Sequence, residues 1–128
     1  MEPFGYRPLP QDGPFRTHIR TLQLLPAADL EDPVECLLQH CVYDQYGNLR
    51  LQDEESGLPR NIIKPYQALS YVWGDVNDTH PITVNGKMLS VTVNFLVALR
   101  NLSSADEARR LWVDAICIDQ SNLKECEH

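Results

Sequence analysis

The stretch L-W-V-D-A-I-C-I-D-Q, Leu111 to Gln120, decides how this chain is read. Every residue in it except Asp114, Asp119 and Gln120 is apolar. Such a run is the pattern of a strand covered on both faces, typical of parallel sheets, and predicts a strand over Leu111–Asp119. Asp119 then stands at the exit of the strand. Asp114 falls in its middle, on the same face as Trp112, Ile116 and Ile118. An unpaired carboxylate is costly in that position. The sequence therefore predicts Asp114 as a buried polar anchor, satisfied by Arg109, Arg110, the Ser70 or Tyr71 hydroxyl, or backbone N–H groups. Asp119 has two compatible readings, capping the helix that follows or serving a site as its carboxylate.

A second dense apolar run, Tyr66–Gly74 (YQALSYVWG), predicts another covered strand. Between the two lies ITVNGKMLSV, where Asn85-Gly86 separates short alternating arms. That pair tolerates positive φ at both turn positions and marks a type I′ hairpin. The second arm leads into a helix with Asn94 as N-cap and Phe95, Leu96, Leu99 and Leu102 along one face. With this helix as crossover, the two apolar strands run parallel and their carboxyl ends emerge at one margin of the sheet. The first end carries Trp73, Gly74 and Asp75; the second carries Asp119 and Gln120. Loops diverge at such a margin and leave a ligand crevice. Gly74 admits close approach of a backbone or ligand beside Trp73; a core tryptophan before a turn glycine accounts for the same pair. Trp112 reads as core.

Upstream, residues 1–17 hold four of the nine prolines and form an extended, loose lead-in. HIRTLQLL (18–25) alternates as a strand and stops at Pro26. VECLLQHCVY (34–43) is a second strand, its β-branched and aromatic end arguing against a helix. Residues 44–61, acidic and marked by glycine and proline, read as an exposed loop. The last residues, SNLKECEH, open a helix capped by Asp119 or Ser121, with Lys124 and Glu125 outward.

The chain has 128 residues, enough for one domain with a single core. Its 43% apolar and 23% charged residues exclude a disordered chain. A net charge of −7 argues against a nucleic-acid module and against docking on anionic lipid. No run reaches the roughly 18 apolar residues of a membrane span. The Pro/Gly-rich start has no apolar signal segment, so the chain reads as cytoplasmic, with Cys36, Cys41, Cys117 and Cys126 as free thiols. Cys36, His40 and Cys41 fit no zinc spacing. There is no phosphate-cradling glycine loop and no nucleophile–base signature.

Three segments, YQALSYVWGD (66–75), PITVNGKMLSVTVNFLVALRNL (81–102) and RLWVDAICIDQSNLKECEH (110–128), resemble the fungal heterokaryon-incompatibility (HET) domain. The resemblance is carried by Ser70, Tyr71, Trp73, Gly74, Trp112, Asp114, Asp119 and Gln120. It implies an α/β, flavodoxin-like fold related to the TIR domain, a parallel-core sheet with an added β hairpin. It also implies a part in nonself recognition and programmed cell death, a form of fungal innate immunity. The module would act through protein partners, a nucleotide-binding sensor or copies of itself, with no cofactor or metal. A TIR-like NAD-cleaving hydrolase is the alternative, with NAD as substrate. Asp75, Asp119 and Glu125 would then supply carboxylates to an oxocarbenium-like ribosyl cation, with Trp73, Gly74 and Gln120 around the ligand. Domains similar to this one continue beyond the Asp-Gln pair, and Cys126 stands where arginine is common. Residues 18–128 are thus expected to be the N-terminal part of such a domain, with an uncovered edge that favours self-association, or an inert fragment.

Overall fold

The computed structural model describes residues 2–10, 17–29, 31–69 and 74–121. Among the described residues, eight strands and two helices succeed one another in chain order. The first two strands, β1 (Thr17–Leu24) and β2 (Glu35–Tyr43), pair antiparallel along their length from Thr17↔Tyr43 to Leu24↔Cys36. Both match the alternation of the sequence, and Pro26 lies just past the end of β1 as expected. This register sets His18, Arg20, Leu22 and Leu24 on one face, together with Cys36, Leu38, His40 and Val42. The apolar half of that face, Leu22, Leu24 and Cys36, is buried in the main core.

Residues 44–61 are not the loop that their composition suggests. They contain β3 (Leu49–Gln52) and the start of β4 (Pro59–Ile62), which extend the sheet as an antiparallel meander from β2. Asp44 organises the turn into β3. Its Oδ1 accepts the Tyr46 and Asn48 N–H groups, each at 2.9 Å, and its Oδ2 pairs with Arg50 Nε at 2.7 Å. A short strand flanked by acidic turns has too few apolar residues to show a period, so pairing with β2 decides its state.

The apolar run at 66–74 contributes β5 (Gln67–Ala68), and residues 70–73 lie outside the described residues. β6 (Thr79–Val84) and β7 (Lys87–Thr92) form the expected hairpin. Its turn residues Asn85 and Gly86 have φ of 53° and 76°, as a type I′ turn requires. The helix α1 (Val93–Leu102) comes directly after β7. Its cap is Thr92 rather than the expected Asn94: Thr92 Oγ1 accepts the Phe95 N–H at 3.3 Å. The helix starts earlier than expected because the hairpin delivers Thr92 into the interior, where its hydroxyl has no competing water. Phe95, Leu96 and Leu99 are buried, as the helical spacing predicts.

The last strand is β8 (Arg109–Trp112), succeeded by the short helix α2 (Asp114–Cys117). The sheet order is β4-β3-β2-β1-β8-β5, with β6 beside β2 and β7 beside β6. Most pairs among the described residues are antiparallel; β2–β6 and β5–β8 are parallel. The architecture is therefore a mixed α/β sheet, in place of the parallel core expected from the apolar runs. The dense apolar character of Leu111–Ile118 arises because β8 is an inner strand, held between β1 and β5, and because α2 inserts into the core. Both situations bury consecutive residues without requiring parallel neighbours.

Residues 2–10 lie across the hairpin. Phe4 N–H donates to Met88 O and Met88 N–H to Glu2 O, both at 2.8 Å. Tyr6 Oη donates to the Ile116 carbonyl of α2 at 2.7 Å.

Candidate functional site at the β5–β8 margin

β5 and β8 lie side by side and parallel, with Gln67 opposite Leu111 and Ala68 opposite Trp112. Leu69 N–H donates to Trp112 O at 2.9 Å, one step beyond the last pair. The two segments singled out in the sequence thus leave the sheet at the same margin.

Beyond β8 the backbone departs from the expected strand. The predicted strand Leu111–Asp119 ends at Trp112, and Asp114–Cys117 is helical. Asp114 is exposed at the first turn of α2, not buried in mid-strand. Desolvation explains the change: a continuing strand would carry the carboxylate inward on the Trp112 face, whereas one helical turn releases it to water. The same turn sends Ile116 and Cys117 into the core. Arg110, a partner expected for Asp114, is engaged elsewhere. Its Nη1 donates to Thr21 Oγ1 at 2.7 Å and to Gln39 Oε1 at 2.8 Å; Arg109 is exposed. Trp112 is partly buried against the core.

Asp119 Oδ1 accepts the Ser121 N–H at 3.0 Å and the Ser121 hydroxyl at 2.6 Å. These bonds form a local turn; the helix that Asp119 or Ser121 was expected to cap, residues 121–128, lies outside the described residues beyond Ser121. Gln120 Nε2 donates to the Asp114 carbonyl at 2.9 Å, closing the segment back over α2. Asp75 accepts the Asn77 N–H at 2.9 Å through Oδ1, and its carbonyl accepts the Asp78 N–H at 3.1 Å. These hydrogen bonds stay within its own turn. Ser70, Tyr71, Trp73 and Glu125 lie outside the described residues.

Gly74 does meet a close neighbour, and the neighbour is a side chain. Its φ is +88°, and a Cβ built there would stand 2.5 Å from Asn94 Nδ2. Glycine is required on both counts, conformation and space. The contact ties the end of the β5 segment to the first turn of α1.

Two features escape the sequence reading. His18 Nδ1 and His40 Nε2 are 2.8 Å apart, and His40 Nδ1 lies 2.9 Å from Glu54 Oε1. The three residues are joined only by the β1–β2 register and the β3–β4 turn, neither of which is legible in a lone sequence. Burial lowers the pKa of His40, against the raising effect of Glu54. Cys126 lies outside the described residues. Cys36, Cys41 and Cys117 are free and buried, and burial pushes the Cys36 and Cys117 thiols up to about 12. Among the described residues no cluster of His, Cys, Asp or Glu could hold a metal ion, and no helix is long and apolar enough to cross a membrane.

Comparison with known proteins bears on the same margin. Residues 66–128 match the family model described as heterokaryon incompatibility protein (HET). Over 122 residues the chain is 33% identical to heterokaryon incompatibility protein 6, OR allele, of Neurospora crassa. The match takes in 85% of this chain and 15% of that protein's length. No solved structure matches.

Proposed function

Because this chain belongs to the heterokaryon-incompatibility family, we propose that it serves fungal heterokaryon incompatibility as an interaction module. In that role it transmits a nonself signal toward cell death by binding a protein partner or further copies of itself, in a TIR-like manner. The observation that carries the reading is the 33% identity to an incompatibility protein over 85% of the chain, beside the match of residues 66–128, the β5–β8 margin included, to the family model. The geometry supports binding over catalysis. Asp75 and Asp119, the described carboxylates proposed for hydrolysis, hold local turns together. Gly74, next to Asp75 in the chain, lies against the Asn94 side chain of α1.

The test is expression of the full chain in a fungal host, with growth and heterokaryon viability as readouts, beside incubation of the purified chain with NAD. Loss of viability that disappears in Gly74→Val, with NAD intact in both, supports the module. Nicotinamide release abolished by Asp119→Ala would replace this reading with the hydrolase. Viability unaffected by the chain would overturn a signalling role for it.

A further inference from the structure

A groove of about 500 Å³ is lined by the N-terminal segment together with residues of β1, β2, β3, the β3–β4 turn and the β6–β7 turn. Its described lining residues, Asn85 and Lys87 apart, lie outside the part of the chain that matches the HET family model. The chain carries a net charge of −7, yet four of its eleven Lys and Arg residues, Arg7, Arg20, Arg60 and Lys87, converge on this groove. Among the described lining residues Glu54 is the single carboxylate, bound to His40 at 2.9 Å, and outside the lining the exposed Glu2 pairs with Lys87 Nζ at 3.3 Å, which leaves Arg7, Arg20 and Arg60 in excess. Such a local excess of positive charge, on an otherwise acidic protein, is not expected of a merely solvated surface.

The groove is also built and not a gap between loops. Arg20 is 4% exposed and is fixed from three sides. Its Nη1 donates to the Cys117 carbonyl at 3.2 Å, its Nη2 to the Arg7 carbonyl at 2.8 Å, and its guanidinium lies 5.0 Å above the Tyr6 ring. Arg7 and Arg60 are exposed. Leu38, Leu51 and Phe4 supply an apolar part of the wall. The size falls in the range of small organic ligands, roughly 300–1,000 Å³. Guanidinium forks match the oxygens of phosphate bidentately, with added Coulomb attraction where several cations share one anion.

We propose that this groove binds a small organic anion bearing two or more phosphate groups. The phosphates lie among Arg7, Arg20, Arg60 and Lys87, with the organic part against Phe4, Leu38 and Leu51. The site is independent of the β5–β8 margin, so it stands or falls apart from the role proposed there.

Titration calorimetry of the full chain with inorganic pyrophosphate at low ionic strength tests it, with citrate as a carboxylate anion of comparable charge. Arg7→Ala/Arg60→Ala removes two exposed cations while leaving the Arg7 carbonyl to hold Arg20. Lys64→Ala, exposed and outside the groove, is the control. Pyrophosphate is expected to bind, to bind more tightly than citrate, and to lose about tenfold or more in affinity in the double variant but not in the control. A circular-dichroism melt identical to that of the parent shows that the double variant is folded. Absence of pyrophosphate binding, equal loss in double variant and control, or preference for citrate would each overturn the proposal.

Discussion

The side chain of Asn85 completes both backbone hydrogen bonds of Leu38, 47 residues away. Asn85 Oδ1 accepts the Leu38 N–H at 2.9 Å, and Asn85 Nδ2 donates to the Leu38 carbonyl at 3.1 Å. Leu38 lies on the edge of β2 between the stretch that pairs with β6 and the stretch that pairs with β3. An amide there imitates the missing strand. One residue thus closes a turn with φ of 53° and fills a gap in a sheet.

Asn85→Gly keeps the positive φ and removes both bonds. Stability measured by urea denaturation is expected to fall by about 1–2 kcal/mol, the scale of one or two partly exposed hydrogen bonds. An unchanged midpoint would show that water replaces the amide at no cost.

Gly74→Ala combines a left-handed φ with a clash against Asn94. The backbone part alone is worth roughly 1–3 kcal/mol. In a double-mutant cycle, Asn94→Ala removes the Nδ2 and Cγ overlaps but keeps Cβ at 2.9 Å, so it should recover only part of the steric cost and leave the conformational part, giving a coupling on the order of 0.5 kcal/mol or more. Strict additivity of the two substitutions would contradict the contact.

Asp114→Ala should change stability by no more than about 0.5–1 kcal/mol, since Asp114 is exposed and acts only through the first turn of a short helix. Thermal melts of the two proteins distinguish this from the several-kcal/mol loss that a buried anchor would show.

Acid should destabilise the fold in two stages. Burial holds His40 below its ordinary 6.5, opposed by the hydrogen bond to Glu54. A folded pKa below the unfolded one means that the unfolded chain takes up the proton first. Stability therefore declines as pH falls below 6.5 toward the folded value. Asp44 is held low by Arg50 and then the Asn48 N–H, and Asp53 by the Ser56 hydroxyl and then the Glu55 N–H. Their contributions are lost further down, as pH falls below the ordinary 3.8 through the folded values. Melting temperature followed from neutral to acid pH should show the first stage in the parent and not in His40→Gln.

Cys36, Cys41 and Cys117 should resist iodoacetamide at mildly alkaline pH in the native protein and react fully in guanidinium, since buried thiols held protonated are poor nucleophiles. Peptide mapping by mass spectrometry gives the answer residue by residue. Labelling of Cys36 or Cys117 without denaturant would place that thiol at the surface.

Local chemistry determined a good part of this molecule. The β1 and β2 strands arise from alternation, the β6–β7 hairpin from Asn85-Gly86, the buried face of α1 from the spacing of Phe95, Leu96 and Leu99, and the parallel pairing of β5 with β8 from two apolar runs joined through a helix. The first three signals are contained in a few neighbouring residues, so a lone chain displays them; the fourth needed the connection between the two runs as well. Tertiary structure alone decided the rest. Whether Asp114 continues a strand or turns out into water depends on which surface would bury it. Whether Leu49–Gln52 pairs depends on the free edge of β2, and whether four cations meet depends on where the N-terminal segment docks. Burial, edge pairing and converging charge are relations between residues far apart in sequence, and no local pattern encodes them.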